Sequence, residues 1–193
     1  MGESFYSKKL VEKYGDPEKM LPWHFLEMAS FGDTVAFYKF MFFDFAEQTV
    51  GIDIRDAADL FDAKRIKQFL FPARTLRNAA AHNDCLLHAL NYRMKKPLKK
   101  IKECLLEECG LERELVENAW KINVVHDFAA LLLCFDVVVP GGDTKERTAR
   151  GLISLEESIG LNREFYELQN GVRDALSLMA EISLSFAEKW QSD

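Results

Sequence analysis

Hydrophobic residues recur every three to four positions along much of this chain, which is the spacing of helices that bury one face. A stripe of this kind runs through residues 165–190, and we interpret it as a last helix capped by Asn162. Residues 35–45 are apolar almost all round, so a helix from Asp33 to about Gln48 is predicted to be buried or shared with a partner chain. No alternating strand pattern occurs, so the sequence predicts an all-α fold of about seven to nine helices.

Glycines and prolines mark the other predicted helix boundaries. Asp16 and Pro17 form a helix start, and Pro72 is predicted to begin a new helix after one over residues 57–70. The remaining predicted helices cover residues 4–14, a segment ending near 109, residues 113–139 with the core helix in its second half, and a helix that Asp143 or Thr144 caps and Gly160 ends. No stretch has the composition of a linker, so we expect one domain over residues 1–193.

Composition indicates a globular protein and argues against a membrane span. The 193 residues are 48% hydrophobic and 29% charged, which is enough for one buried core. The most apolar run, residues 128–135, lies between Asp127 and Asp136 and is far shorter than the ~20 residues that span a bilayer. The first residues show no signal-peptide pattern and the four cysteines form no CxxC pair, so we expect reduced thiols and a cytoplasmic protein.

Candidate chemistry is concentrated in residues 75–87, with the sequence TLRNAAAHNDCLL. Arg77 and His82 lie five positions apart, Asn78 follows the arginine, and three alanines separate Asn78 from the histidine. Arginine binds phosphate through a planar fork of donors, and histidine exchanges protons near neutral pH. RNA cleavage without a metal needs such groups: a base for the 2′-hydroxyl, an acid for the leaving oxygen, and positive charge at the phosphorus.

The geometry of a helix leaves two ways of joining these side chains. Asn78 and His82 are four residues apart and share one face, so Asn78 is placed to hold one imidazole nitrogen. Arg77 and His82 point about 140° apart around the axis, and one continuous helix does not easily aim both at one point. Either the helix ends near His82, or a second chain completes the site and the alanines at 79–81 allow the close approach of its helix.

This motif, together with a second one, resembles a known superfamily. The pattern RN-x3-HN near the end of a helix is similar to the HEPN signature, in which an arginine and a following polar residue precede a histidine. More narrowly, Pro22-Trp23 followed by Phe31-Gly32-Asp33-Thr34, roughly fifty residues before the motif, resembles the abortive-infection (Abi-like, AbiD/AbiF-type) proteins of bacteria. The resemblance covers residues 23–136.

The resemblance implies a helical bundle of the HEPN type and a metal-independent endoribonuclease without cofactor, used in phage defence or abortive infection or as a toxin. It further implies a homodimer in which two motifs meet in one cleft, and possible control by a neutralising partner RNA or protein. In that reading His82 is the general acid and base, Arg77 binds the phosphate, and Asn78 orients the site. Two alternatives stay open: a non-catalytic module that binds RNA or a protein through the same groove, and a purely structural helical dimer.

Further candidate RNA ligands surround the motif. The net charge of −6 argues against broad coating of nucleic acid but is compatible with a local basic groove. Residues 93–102 carry six positive charges in ten positions, which is either a solvated face or a surface that guides RNA. The candidate RNA-binding residues are Arg74, Asn83, Arg93, Lys95, Lys96, Lys99 and Lys100.

The other histidines are not expected to bind a metal. His24, His88 and His126 lack the spacing of a ligand set, and we interpret each as a core or surface residue. His82 is expected to reach solvent, whereas His126 lies in an apolar run and is expected to be packed.

Overall fold

A computed structural model of the chain describes residues 31–39, 58–82, 85, 86, 90 and 92–192. The chain divides into two compact units, Met1–Ala57 and Ala58–Asp193, each described by itself, and the expectation of one domain stays a prediction. The first unit contains helix α1 (Phe31–Lys39), which begins two residues before the predicted cap. Asp33 therefore lies in its first turn, where a carboxylate interacts favourably with the helix dipole. The predicted helix over 4–14, the Pro22-Trp23 motif and residues 40–48 lie outside the described residues.

The second unit confirms the all-α prediction. Its described residues form six α-helices and one short 3₁₀ helix, and their only β pairing is an isolated bridge between Arg93 and Ile122. The elements are α2 (Ala58–Ala81), α3 (Lys99–Glu107), α4 (Arg113–Ala119), α5 (Asn123–Val138), α6 (Asp143–Leu161), the 3₁₀ helix Arg163–Phe165 and α7 (Asn170–Ser192).

Helix α5 is at the centre of this bundle, as its continuous apolar sequence predicts. Its buried residues lie on several sides of the helix and include Val125, Phe128 and Ala130. Helix α2 packs against it, α3 and α7 also contact it, and α6 packs along α7. Within the described segments, no helix combines the length and the hydropathy that crossing a bilayer requires.

The prediction that Pro72 begins a separate helix is wrong. Helix α2 runs without interruption from Ala58 to Ala81 and contains Pro72 in its interior. Proline removes one backbone donor from a helix, and an interior proline is unfavourable for that reason. Here Pro72 is buried between the core residues Phe69 and Ala73, so packing of this turn against α5 offsets the missing hydrogen bond.

The predicted long helix over residues 113–139 is two helices, α4 and α5, separated by a turn at residues 120–122. The reason is a competing set of backbone hydrogen bonds. Met94 N donates to Lys121 O (2.8 Å) and Asn123 N donates to Tyr92 O (2.9 Å). A continuous helix would need Lys121 O and Asn123 N for its own ladder, so pairing with the 92–94 segment breaks it.

Two predicted helix starts are also displaced. Gly142, with φ of 120°, is the N-cap of α6 rather than Asp143 or Thr144, because glycine adopts this backbone conformation without strain. The last helix begins at Asn170, since the Asn162 side chain donates to Ser158 O (2.7 Å) at the end of α6. Phe165 and Leu168, assigned by sequence to the buried stripe, are therefore 77% and 96% exposed.

Candidate functional site

The motif lies at the C-terminal end of α2. The helix ends at Ala81, and His82 begins the following turn with its backbone N–H donating to Asn78 O (3.0 Å). This is the first of the two arrangements that the sequence left open, in which the helix stops beside the histidine. The side chains of Arg77 and His82 are both exposed, which confirms that His82 is accessible to solvent.

Asn78 contacts the arginine rather than the histidine. Arg77 Nη1 donates to Asn78 Oδ1 at 3.1 Å, so the amide oxygen is one contact of the guanidinium group. Among the described residues, no hydrogen bond joins the side chains of Asn78 and His82. The orienting role that the sequence suggested for Asn78 therefore applies to Arg77, and Asn83 lies outside the described residues.

One face of α2 carries Asn78 and His82 of the motif together with an exposed apolar residue. Phe71, Thr75, Asn78 and His82 follow one another at four- and three-residue spacing, which places them on the same side of a helix. Phe71 is 69% exposed, and Thr75 Oγ1 donates to its carbonyl oxygen at 3.1 Å. The candidate RNA ligand Arg74 is half-buried next to this face. His82 and Asn78 thus share a helix face with a phenylalanine that is exposed in the described part of the chain.

The lysine-bearing segment 92–98 is fixed to the turn between α4 and α5. Besides the two backbone bonds described above, Arg93 Nη2 donates to Asn118 O at 2.9 Å. Arg93, assigned by sequence to RNA binding, is exposed. Its hydrogen bond to Asn118 O also holds this segment in place. The backbone that carries Lys95 and Lys96 is therefore held by hydrogen bonds to the rest of the bundle.

His126 binds the C-terminal end of this segment, at Leu98. It is 1% exposed, which confirms its predicted packing role, and its Nε2 accepts a hydrogen bond from Leu98 N at 3.1 Å. Because Nε2 is the acceptor, the proton lies on Nδ1, which is 3.1 Å from Asp127 Oδ1. A buried histidine of the core helix thus positions the residue that precedes α3.

Three of the predicted lysines line a groove of about 730 Å³ between this segment, α3 and α4, here called the basic groove. Lys95, Lys96 and Lys99 belong to it, whereas Lys100 is paired with Glu103 at 3.4 Å. Its remaining basic residues are Lys102, Arg113 and Lys121. Lys102 ends the basic run of the sequence, whereas Arg113 and Lys121 come from later positions that only folding brings near. Its acidic members are Glu103, Glu107 and Glu117.

A second charged cluster was not anticipated. Asp136 Oδ1 accepts hydrogen bonds from Lys145 Nζ (3.1 Å) and Trp190 Nε1 (2.6 Å), and its Oδ2 accepts one from Lys189 Nζ (2.6 Å). Burial raises the pKa of Asp136, but these three hydrogen bonds outweigh burial and the pKa lies below its ordinary value. Lys145 lies four residues before the buried Ala149 and so on the same face of α6. A lysine on this buried face was the signal in the sequence that could have revealed the cluster. The cluster joins the end of α5 to α6 and α7 and is structural.

The cysteines do not form a reactive centre. None of the four, all described, forms a disulfide. Burial raises the pKa of Cys134 to about 11 and also raises the pKa of Cys109, which disfavours the thiolate. Among the described residues no group of three or more His, Cys, Asp or Glu side chains is placed to hold a metal ion.

Comparisons of the chain with protein-family models, with curated proteins and with solved structures returned no match. The functional argument therefore depends on the motif and on the groove.

Proposed function

We propose that the protein is a metal-independent endoribonuclease of the HEPN type, in which Arg77 and His82 carry the chemistry and no cofactor takes part. The resemblance of the motif to that superfamily supplies the reaction class. The supporting observation is that both side chains are exposed at the point where α2 ends, with the guanidinium hydrogen-bonded to Asn78. A role in phage defence or abortive infection, or as a toxin held by a neutralising RNA or protein in the cytoplasm, follows from the same resemblance.

The proposed reaction is a transesterification within the RNA. His82 takes the proton of a 2′-hydroxyl, whose oxygen attacks the adjacent phosphorus and forms a 2′,3′-cyclic phosphate. The bond from phosphorus to the 5′-oxygen breaks, and that oxygen receives a proton from a protonated imidazole. Arg77 binds the phosphate oxygens and stabilises the negative charge of the pentacoordinate transition state.

A homodimer would supply the second imidazole that this scheme uses. With two motifs in one cleft, one His82 acts as base while His82 of the second copy acts as acid. The exposed Phe71 lies on the face of α2 that carries His82, and a second copy would cover this apolar surface.

The alternative is a non-catalytic module that binds RNA or a protein through the same residues. The hydrogen bond from Arg77 to Asn78 is compatible with this alternative, since this contact of the arginine does not need the histidine. If the ligand of such a module is RNA, both readings predict RNA binding and differ in whether the strand is cut.

Substrate and metal dependence test the proposal. Purified protein is incubated with a mixed RNA pool and with the matching 2′-deoxy oligonucleotides, each with and without EDTA. We expect RNA alone to be cut, with products ending in a cyclic phosphate and no effect of EDTA. Cutting of the deoxy strand, or loss of RNA cleavage with EDTA, would exclude this mechanism because the 2′-hydroxyl is its nucleophile.

A further inference from the structure

We propose that the basic groove binds the backbone of single-stranded RNA and that the exposed ring of Tyr92 stacks on one of its bases. The RNA would then have a second anchor, distinct from the motif at the end of α2. This inference rests on the proposed function for the identity of the ligand, and it adds residues that neither the motif nor the linear run of lysines identifies.

Positive charge is concentrated in this groove although the whole chain has a net charge of −6. Six basic and three acidic side chains line it. One acid, Glu117, is paired with Lys102 and lies near Lys121 and Arg113, and these cations hold its pKa below the ordinary value. Within the described part of the chain, Lys95, Lys96 and Lys99 have no acidic partner. Their charge is available to a polyanion.

The first turn of α3 places cations at the positive end of the helix dipole. It begins with Lys99 and Lys100, contains no acidic residue, and has no side-chain cap from Leu98. Cations at this end oppose the helix dipole, whose positive pole lies at the N terminus. A phosphate group would be attracted by the lysines and by the helix end together, so a phosphate-bearing ligand accounts for this arrangement.

Trp120 forms part of the groove wall, and two lysine ammonium groups contact its ring. The Nζ atoms of Lys102 and Lys121 lie 5.8 Å and 5.5 Å from its ring centroid, within the range of cation–π contacts. Its indole N–H is buried without a hydrogen-bond partner among the described residues, which leaves a further donor unsatisfied at this wall. The tryptophan itself is 4% exposed, so it positions the lysines and does not stack on a base.

The stacking residue is Tyr92, which is 64% exposed at the start of the segment that carries Lys95 and Lys96. Tyr92 precedes Lys95 by three residues in sequence and is not among the residues that line the groove. An exposed aromatic ring near a basic surface is typical of proteins that bind single-stranded nucleic acid, because every base can stack on it. The backbone hydrogen bonds from Asn123 N to Tyr92 O and from Met94 N to Lys121 O hold the backbone of this segment in place before RNA binds. The ten chain steps from His82 to Tyr92 span at most about 35 Å, so the distance between the two anchors is within the length of a short single strand.

Binding can be measured separately from cleavage in protein carrying His82→Ala, which keeps the probe uncut. The probe is a fluorescent single-stranded RNA of about 12 nucleotides, titrated by anisotropy at several salt concentrations. Reversing two groove charges, Lys95→Glu with Lys99→Glu, is expected to weaken binding by about tenfold at about 0.1 M salt. The slope of log affinity against log salt should fall by about 1.4, since each phosphate contact of a single strand contributes about 0.7.

Matched controls distinguish an effect of the groove lysines on RNA affinity from an effect of the overall charge of the protein. Arg147→Glu with Arg150→Glu makes the same charge change at two exposed positions of α6 and should leave affinity within about twofold. Tyr92→Ala should weaken binding and leave the salt slope unchanged. Melting temperatures confirm that each variant is folded.

Four outcomes distinguish the RNA anchor in the groove from the proposed catalysis. Unchanged binding of the lysine variant, or an equal loss in the arginine variant, overturns the groove as an RNA anchor. Groove-dependent binding by a wild-type protein that never cuts RNA supports the groove and overturns only the proposed catalysis. Cleavage that depends on His82, with the lysine variant binding and cutting like wild type, overturns the groove and leaves the catalytic proposal standing.

Discussion

The backbone N–H of Leu98 donates a hydrogen bond to Nε2 of the buried His126, with 3.1 Å between the two nitrogens. Leu98 directly precedes α3, and His126 belongs to the central helix α5. The hydrogen bond therefore connects the hydrophobic core to the segment that carries the lysines of the basic groove. A histidine that sequence reasoning assigned to packing alone also determines where the first turn of α3 lies.

Replacing His126 by alanine is expected to destabilise the protein by about 1–3 kcal/mol, because it removes a buried side chain and leaves Leu98 N–H unsatisfied. Urea unfolding followed by circular dichroism measures the loss. RNA affinity should fall in the same variant, since the lysine segment loses its attachment.

The conservative variant His126→Gln separates the hydrogen bond from packing. Its amide oxygen reaches about as far as Nε2 and can accept from Leu98, so part of the stability should return. Equal losses in the two variants would mean that only the volume of the histidine matters.

Asp136→Asn is expected to cost about 3 kcal/mol, because it removes the charge that faces the buried ammonium of Lys145 while the shape is kept. A matched control is Asp174→Asn, which removes a more exposed carboxylate paired with Arg173 and should cost less than about 1 kcal/mol. A loss at Asp136 no larger than at Asp174 would show that the cluster contributes little.

The same carboxylate predicts a dependence of stability on pH. Its native pKa is lowered, so the unfolded chain binds its proton more readily, with an ordinary pKa of about 3.9. The contribution of Asp136 is therefore complete above that value and is lost as the pH falls through the native pKa. Urea unfolding at steps from about pH 7 to pH 3 should show the difference between wild type and Asp136→Asn shrinking in acid. A difference that stays constant would contradict the lowered pKa.

Hydrophobic periodicity was sufficient for the fold class and for the central position of α5, because burial of apolar faces dominates in a helical bundle. It was insufficient at three boundaries. Pro72 lies inside α2, the Arg93–Ile122 bridge interrupts the predicted helix over 113–139, and Asn162 caps the end of α6. The first two depend on tertiary contacts, which local propensity does not contain, whereas the third depends on a hydrogen bond from Asn162 to Ser158 four residues earlier.

In the candidate site too, some features could be predicted from the local sequence and others could not. The exposure of His82 and the burial of His126 followed from their immediate neighbours in sequence. The pairing of Arg77 with Asn78 did not, since adjacent residues on a helix do not share a face and the contact depends on the arginine rotamer. Lys121 could not be assigned to the groove either, because α3 separates it from the lysine run in sequence.

A homodimer with the α2 faces in contact is expected in solution. Sedimentation at micromolar concentration should give twice the 22.2 kDa mass of the chain. Phe71→Glu places a charge on the motif face and should produce monomers that lose cleavage, if a second His82 acts as the acid.

Leu168→Glu is the matched control, because Leu168 is even more exposed and lies outside α2. It should remain a dimer and keep its activity. A wild-type monomer, or equal dissociation by both variants, would remove the dimer from the proposal.

The central claim is that His82 transfers protons during RNA cleavage, and the most direct measurement is the single-turnover cleavage rate of His82→Ala. Saturating protein, one labelled RNA and melting temperatures measured in parallel separate chemistry from binding and folding. We expect a loss on the order of 10² or more with the melting temperature unchanged, as for removal of a general acid–base group. A folded His82→Ala protein that cuts RNA as fast as wild type would contradict the catalytic role of the motif.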